Sequence, residues 1–238
     1  MQFLDLTLPT VAENLALDEA LLVEAEIGQG GEVLRLWEWL EAAVVLGSGC
    51  PLAEDADEAA CLAGGVPILR RSSGGGTVLL ATGCLCYSLV LPYARSPALA
   101  GIRSTYGFIL ERIRAALSDI APGIACAGTS DLAIDGRKFS GNSQQRKRMY
   151  LLHHGTLLYR FDFQQMAHYL RMPARQPDYR GGRDHAEFLM NLPADAAKLR
   201  RRLRSAWEAE TDQVAWPRDR VRQLVAEKYL RPEWIRRR

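Results

Sequence analysis

Arg70-Arg71-Ser72-Ser73-Gly74-Gly75-Gly76-Thr77-Val78 is the stretch on which the fold and the chemistry both turn. Three consecutive glycines let a backbone approach a ligand closely, and successive N–H groups can form an anion-binding concavity. Arginines entering such a loop suit a phosphate or a carboxylate. The loop has no GKS/T and no GxGxxG, so it is neither a P-loop nor a dinucleotide fingerprint. A plain glycine-rich turn between two strands satisfies the same residues.

Working outward, Val66–Arg70 predicts a strand that feeds this loop, and Cys84–Leu91 (CLCYSLVL) an apolar, β-prone central strand beyond it. Upstream, Thr10–Glu26 carries apolar residues at helical spacing, with Thr10 and Glu13 as a capping box. Val33–Trp39 alternates as a half-buried strand, with Ala43–Leu46 as its expected partner, and Ala53–Ala63 predicts a short helix. Downstream, Ser104–Ser118 reads as an amphipathic helix, and Ser130–Ile134, Lys138–Ser140 and Thr156–Tyr159 as strands. From Gln164 the chain reads as mostly helical, broken by a Pro- and Gly-rich loop at Met172–Gly182. Irregular alternation with hairpin-like pairs predicts an α+β domain with a mixed β-sheet flanked by helices.

Three further segments hold chemistry-bearing residues. In Ser130-Asp131-Leu132-Ala133-Ile134-Asp135-Gly136-Arg137-Lys138-Phe139-Ser140-Gly141, Asp135-Gly136 is a hairpin signal that puts Lys138 at the start of a returning strand. A lysine there can neutralise a leaving phosphate or polarise a carbonyl, although a lone lysine beside a hairpin is commonly a solvated one. His153-His154-Gly155-Thr156 precedes an apolar run and lacks partners at metal-ligand spacing, so a core histidine is expected and no metal site. Cys126, in a loop of small residues, is a nucleophile if a base lowers its pKa and an inert buried thiol otherwise.

Composition sets the outer bounds. The 238 residues are 48% hydrophobic and 24% charged with a net charge of +2, the balance of an ordinary globular domain and no argument for nucleic acid. Basic character is local, in KLRRRLR (198–204) and RPEWIRRR (231–238). The opening MQFLDLTLPT lacks a signal peptide's basic and apolar regions, and no apolar run approaches the roughly 18 residues of a membrane span, so the cytoplasm is expected. Five cysteines, Cys50, Cys61, Cys84, Cys86 and Cys126, are odd in number and read as reduced thiols.

Taken in order, these segments resemble the lipoate-protein ligase A family of the biotin/lipoate protein ligase superfamily. Asn14-Leu-Ala-Leu-Asp18-Glu19 is similar to its N-terminal helix, and Arg70–Val78 to its RRxSGGGxV loop. Ser130-Asp131-Leu132, Gly136–Gly141 and His154–Leu158 resemble its NDL, GRKxSG and HGTLL segments. The resemblance departs at Leu80-Ala81 and Cys84, where His-Asp and Asn are common, and at Ser130 in place of Asn.

What the resemblance implies is a class II aminoacyl-tRNA-synthetase-like catalytic domain spanning 1–238, without the family's small C-terminal accessory domain. It implies ATP, with Mg2+, activating lipoate or octanoate to an acyl-adenylate, and transfer to a lysine of a lipoyl-domain carrier. E2 subunits and the glycine-cleavage H protein are the expected carriers, and a separate accessory-domain protein a possible partner. Arg70, Arg71, Ser73, Gly74, Gly75, Gly76 and Thr77 would line the acyl-adenylate site, Lys138 would favour the transition state, and Asp131, Ser140, Gly141, His154 and Thr156 would flank the adenylate. The CLCYSLVL run and Leu157-Leu158 would wall the acyl slot. An alternative within the superfamily is an octanoyl or lipoyl transferase that carries its acyl group as a thioester on Cys126, without ATP. From another class comes a non-catalytic module that binds lipoylated or nucleotide ligands. Basic stretches would steer an acidic carrier.

Overall fold

The computed structural model describes residues 1–212 and 215–238. Its frame is an eight-stranded mixed sheet built from β1 (Gln2–Asp5), β2 (Val33–Glu38), β6 (Cys84–Pro92), β7 (Ile124–Ala127), β8 (Asp131–Ile134), β9 (Arg137–Arg146), β10 (Tyr150–Leu158) and β11 (Thr211–Asp212). The order is β11-β1-β2-β6-β10-β9-β8-β7, parallel among β11, β1 and β2 and antiparallel thereafter. A second sheet of β3 (Ala43–Leu46), β4 (Ile68–Arg70) and β5 (Val78–Leu80) has β3 at its centre. This is the mixed sheet with flanking helices that the sequence predicts.

Ala43–Leu46 therefore does not pair with Val33–Glu38. Both edges of β2 are taken, by β1 and β6, and the fully buried AVVL run fits the middle of its own small sheet. The expected helix at 53–63 splits into α2 (Leu52–Asp55) and α3 (Glu58–Ala63), because Asp57 turns out to cap α3, accepting from the Ala60 N–H. Strands β9 and β10 run far beyond Lys138–Ser140 and Thr156–Tyr159, so His153 and His154 lie inside β10. Apolar periodicity misses most of β9 because its residues there, Gly141-Asn-Ser-Gln-Gln-Arg146, are polar.

Helices cover both faces. On one side α1 (Val11–Glu26) lies with the small sheet, and Leu15, Leu22, Val45 and Leu79 belong to the core there. On the other, α4 (Ile102–Leu117) and α7 (Ala196–Ala206) cover a core that includes Leu89, Ile113, Leu203 and Trp207. Between and after them come α5 (Phe163–Tyr169), α6 (His185–Phe188), α8 (Arg218–Leu224) and α9 (Pro232–Ile235). Among the described residues no helix is long and apolar enough to cross a membrane.

Helix α1 is buried on nearly every side, including Asn14, Asp18 and Glu19. Buried polar groups need partners, and each has them. Asn14 bonds Leu8 and Arg35, Asp18 pairs with Arg35, and Glu19 receives the Lys228 ammonium at 2.8 Å and the Tyr229 hydroxyl at 2.7 Å. The basic run of α7 is largely neutralised within the chain: Arg200 meets Asp5 and Glu38, Arg202 meets Asp119, and Arg204 meets Asp212. It is thus less a free docking face than its sequence suggests.

Candidate active site

The glycine loop crosses from β4 to β5 and is pinned by its carbonyl oxygens. Arg71, buried, donates through Nη2 to Gly74 O at 2.5 Å and Gly76 O at 2.7 Å, through Nη1 to Val45 O, and through Nε to Ser73 Oγ. Ser143 Oγ also donates to Gly74 O, and the Cys50 thiol to Gly75 O. Gly75 sits at φ +78°, a region natural to glycine, and a Cβ on Gly47 would stand 1.9 Å from Gly75 O. With the carbonyls held by the protein, the N–H groups of Gly74, Gly75 and Gly76 donate to nothing among the described residues. Four of the five Arg71 donors are engaged, so this side chain builds the loop more than it reaches for a ligand; burial draws its guanidinium down to about 10.

Arg70 departs from expectation. Its guanidinium turns away from the cavity and clamps the carbonyls of Gly47, Cys50, Trp234 and Ile235, tying the C-terminal helix to the small sheet. The motif placed it beside Arg71, but successive residues of a strand face opposite ways.

The cavity in front of the loop holds about 150 Å³. Gly75, Gly76 and Thr77 line one side, and Lys138, Asp131, Ser130 and Gly141 another. Leu15, Trp37, Val45, Val78, Leu80 and Cys86 supply apolar wall, and Asp18, Ser88, Ser143, His154 and Thr156 complete it. Leu157 and Leu158 are not among the lining residues. The Lys138 ammonium is 2.9 Å from Asp131 Oδ1 and about a quarter exposed. Its stem lies over Gly141, where an added Cβ would meet Nζ at 2.8 Å. Asp131 also receives the Tyr179 hydroxyl at 2.7 Å; burial, and the carboxylate beside it, push that phenol far up.

A second cavity of about 310 Å³ shares Gly76, Thr77, Asp131, Lys138, Gly141 and Thr156 with the first. Ser140, Arg171, Arg175, Arg180 and His185 belong to this second chamber, beneath the Pro- and Gly-rich loop. Ser140 itself is buried and bonded to Asn142. Thr77 donates to Asp55 at 2.5 Å. Ser73 lies just behind the wall, its Oγ 2.5 Å from His154 Nε2.

Cys126 is on the edge strand β7, exposed, and outside both cavities. Burial of part of its surface raises the thiol's pKa, Glu111 raises it further, and Arg114 only partly offsets this. Cys86 does line the cavity, but its thiol is raised well above the usual range by its hydrogen bond to Cys84 and by burial. Neither is an activated thiolate. Among the described residues no three His, Cys, Asp or Glu side chains stand together as metal ligands.

Sequence reasoning missed several wall residues, Asp18, Ser88, Asn142 and Ser143, and Arg35, which pairs with Asp18 behind them. The available signal was a charge in an otherwise apolar stretch of strand, at Arg35 in Val33–Trp37. Asn142 donates to Ser130 O and accepts from Tyr87, which steadies the corner before Asp131; a Cβ on Gly155 would fall 1.8 Å from its Oδ1.

With this geometry in hand, comparison with known proteins is informative. A protein named as a lipoate-protein ligase A in Mycoplasma pneumoniae is 30% identical over 159 residues, 67% of this chain and 45% of that protein. An octanoyltransferase LipM of Carboxydothermus hydrogenoformans is 32% identical over 177 residues, 67% of this chain and 65% of that one. The chain thus spans from under half to just under two thirds of these relatives' length. Among solved structures, part of a bi-partite lipoate protein ligase from Thermoplasma acidophilum superposes with a TM-score of 0.82 at 20% identity, covering 99% of this chain and 95% of that one. A lipoate-protein ligase A bound with ATP gives 0.80 at 20% identity, covering 99% and 98%. These two show the fold. The profile described as lipoyl protein ligase A/B catalytic domain matches residues 10–211, and the chain belongs to that family.

Proposed function

We infer that this chain activates lipoate, or a similar medium-chain acid, with ATP and passes the acyl group to a lysine of a lipoyl-domain carrier. One observation carries this reading: Lys138 lines one cavity together with Gly75 and Gly76 of the triglycine loop, whose N–H groups meet no acceptor among the described residues, and much of the remaining wall is apolar. An acyl-phosphate mixed anhydride needs cationic and N–H donors at its charged end and a greasy slot for its chain. The adjoining chamber with Arg171, Arg175 and Arg180 suits a nucleotide. Magnesium would travel with the triphosphate, since it is commonly held by substrate phosphates and one or two carboxylates. Asp131 is the carboxylate common to both chambers.

In the first step a carboxylate oxygen of the acid attacks the α-phosphorus and pyrophosphate leaves. Lys138 and the loop N–H groups stabilise the developing charge. In the second, the neutral amine of the carrier lysine attacks the acyl carbon, AMP leaves, an amide forms and the amine loses a proton. Lys138 lines both cavities, so in this reading one ammonium serves both steps.

The test is pyrophosphate–ATP exchange. Exchange should require lipoate, fall steeply in Lys138→Ala and persist in Cys126→Ser. Lipoate-independent exchange, or none, contradicts the reading.

A second reading, acyl transfer through a thioester, is favoured by the LipM relatives, which are as similar to this chain as the ligase. It requires Cys126 to reach the acyl carbon from the sheet edge. Loss of transfer in Cys126→Ser would support it.

A further inference from the structure

We propose that Trp234 and Arg237 are positioning residues for the triglycine loop, acting through the turn at 47–50 that braces it. The kinetic consequence rests on the ligase reading; the geometry does not.

A loop offers its N–H groups to an anion only while its carbonyls are held elsewhere. Arg71 and Ser143 account for the carbonyls of Gly74 and Gly76. The turn at 47–50 accounts for the others. Ser48 N–H donates to Ser73 O at 2.8 Å, and the Cys50 thiol donates to Gly75 O at 3.3 Å. Gly47 itself lies so close to Gly75 O that it has no room for a Cβ. Moving the turn therefore moves Ser73 and Gly75.

The turn belongs to no helix or strand, so its own carbonyls need partners from outside. Gly47 O and Cys50 O accept from Arg70 Nη1 at 2.8 and 2.7 Å, and Ser48 O accepts from both Nε and Nη2 of Arg237. Arg70 is fixed in turn by the carbonyls of Trp234 and Ile235, while Trp234 Nε1 donates back to Arg70 O at 2.8 Å. The Trp234 ring carries two cations, Lys228 Nζ at 4.3 Å and Arg237 Cζ at 4.1 Å from its centroid. Lys228 is anchored at 2.8 Å on the buried Glu19 of α1. Arg237 is exposed, and a lone surface arginine holds its acceptor weakly. Resting on an indole that is tied to Arg70, its fork is preset.

Neither Trp234 nor Arg237 lines the two cavities of the active site, and neither do Gly47, Ser48, Cys50 and Arg70. Any influence they have on the chemistry passes through the loop. In the ligase reading the loop N–H groups meet charge that grows as the acyl-adenylate forms. A shift of Gly75 then costs more in the transition state than in binding. The signature is a lower kcat with KM for the acid nearly unchanged.

The experiment compares the full chain with Arg237→Ala, Arg237→Lys and Trp234→Phe, at one exposed and one half-buried position, after thermal melts show each variant folded. Two quantities are read: acid-dependent pyrophosphate–ATP exchange, and the backbone amide NMR signals of Gly74, Gly75 and Gly76 without ligand. Arg237→Ala and Trp234→Phe should each lower kcat about tenfold, with KM for lipoate within about twofold of wild type. Both should also shift the Gly75 amide. Arg237→Lys keeps a cation on the indole and a donor for Ser48, and should recover most of the rate. Wild-type kcat in both Arg237→Ala and Trp234→Phe overturns the proposal, whatever their melting temperatures. So does a rate loss without movement of the glycine amides, or an Arg237→Lys chain as slow as Arg237→Ala. If the wild-type chain shows no acid-dependent exchange, the ligase reading falls and the amides alone decide: shifted in Arg237→Ala they sustain the positioning role, and unmoved they overturn it.

Discussion

Two parts of the cavity wall, the mouth at Lys138 and the floor formed by the buried network of Asp18 and Arg35, are built on opposite principles. At the mouth, Lys138 is partly exposed, is ion-paired with Asp131, and shares a cavity with Gly75 and Gly76, whose N–H groups meet no acceptor among the described residues. At the floor, Asp18 and Arg35 are buried; all five Arg35 donors are engaged, by Leu6, Asn14 and Asp18. A group that must meet developing charge keeps donors uncommitted, whereas a group that only shapes a wall can be saturated. Catalysis and stability should therefore separate along the slot.

Substitution at the floor should produce the largest effect. Arg35→Leu leaves Asp18 buried without its cation and should destabilise folding by about 3–5 kcal/mol, read by urea denaturation. Lys138→Ala should barely move the melting temperature and should lower kcat by about 10²–10³-fold, roughly 2.7–4 kcal/mol, as expected for one electrostatic stabiliser. Large destabilisation by the lysine change, or a stable but inactive Arg35 variant, would break the comparison. Gly141→Ala sharpens the mouth. Its Cβ would sit 2.8 Å from Nζ, and displacing the ammonium by even about 1 Å should reduce transfer tenfold to a hundredfold, measured at saturating acid and ATP.

The opposite face of β10 from His154 gives a pH prediction. His153 is fully buried against Tyr87 and Tyr106, and burial, with His154 beside it, pulls its pKa to about 3. Between its ordinary value of 6.5 and that value, the unfolded chain holds a proton the folded chain lacks. Its contribution to stability is therefore complete above pH 6.5 and declines on acidification, by at most about 1.4 kcal/mol per pH unit. His153→Phe should flatten that slope. An unchanged slope would place the acid sensitivity in other groups, such as Asp18, whose burial raises its pKa but is outweighed by Arg35, His154 and Ser88. Its stabilising charge is lost only below about 3.8.

How legible this was from sequence differed between the ends. The mouth shows in the sequence through several segments in the family's order and not through any one of them, since a glycine-rich turn and a hairpin lysine each have ordinary structural uses. Gly75, Gly76, Thr77, Asp131, Lys138, Gly141, His154 and Thr156 line one cavity. The floor is assembled from three strands and a helix far apart in sequence, and no local pattern tells that Arg35 faces Asp18. Arg70 was misread for a related reason: adjacency in a motif says nothing about which side of a strand each arginine takes. Helix α1 was legible from periodicity and strand β6 from its apolar run, while β9 was hidden by the polar residues that follow Ser140.

The most direct test of ATP-driven ligation at this slot is the intact mass of a purified apo lipoyl domain after incubation with the chain and lipoate, with and without ATP. The account predicts a lipoyl mass increment only with ATP, retained within about twofold by Cys126→Ser, since surface changes outside the machinery are nearly neutral, and largely lost in Lys138→Ala. A mass gain that needs no ATP, appears only with an octanoyl-carrier donor and vanishes in Cys126→Ser would contradict it.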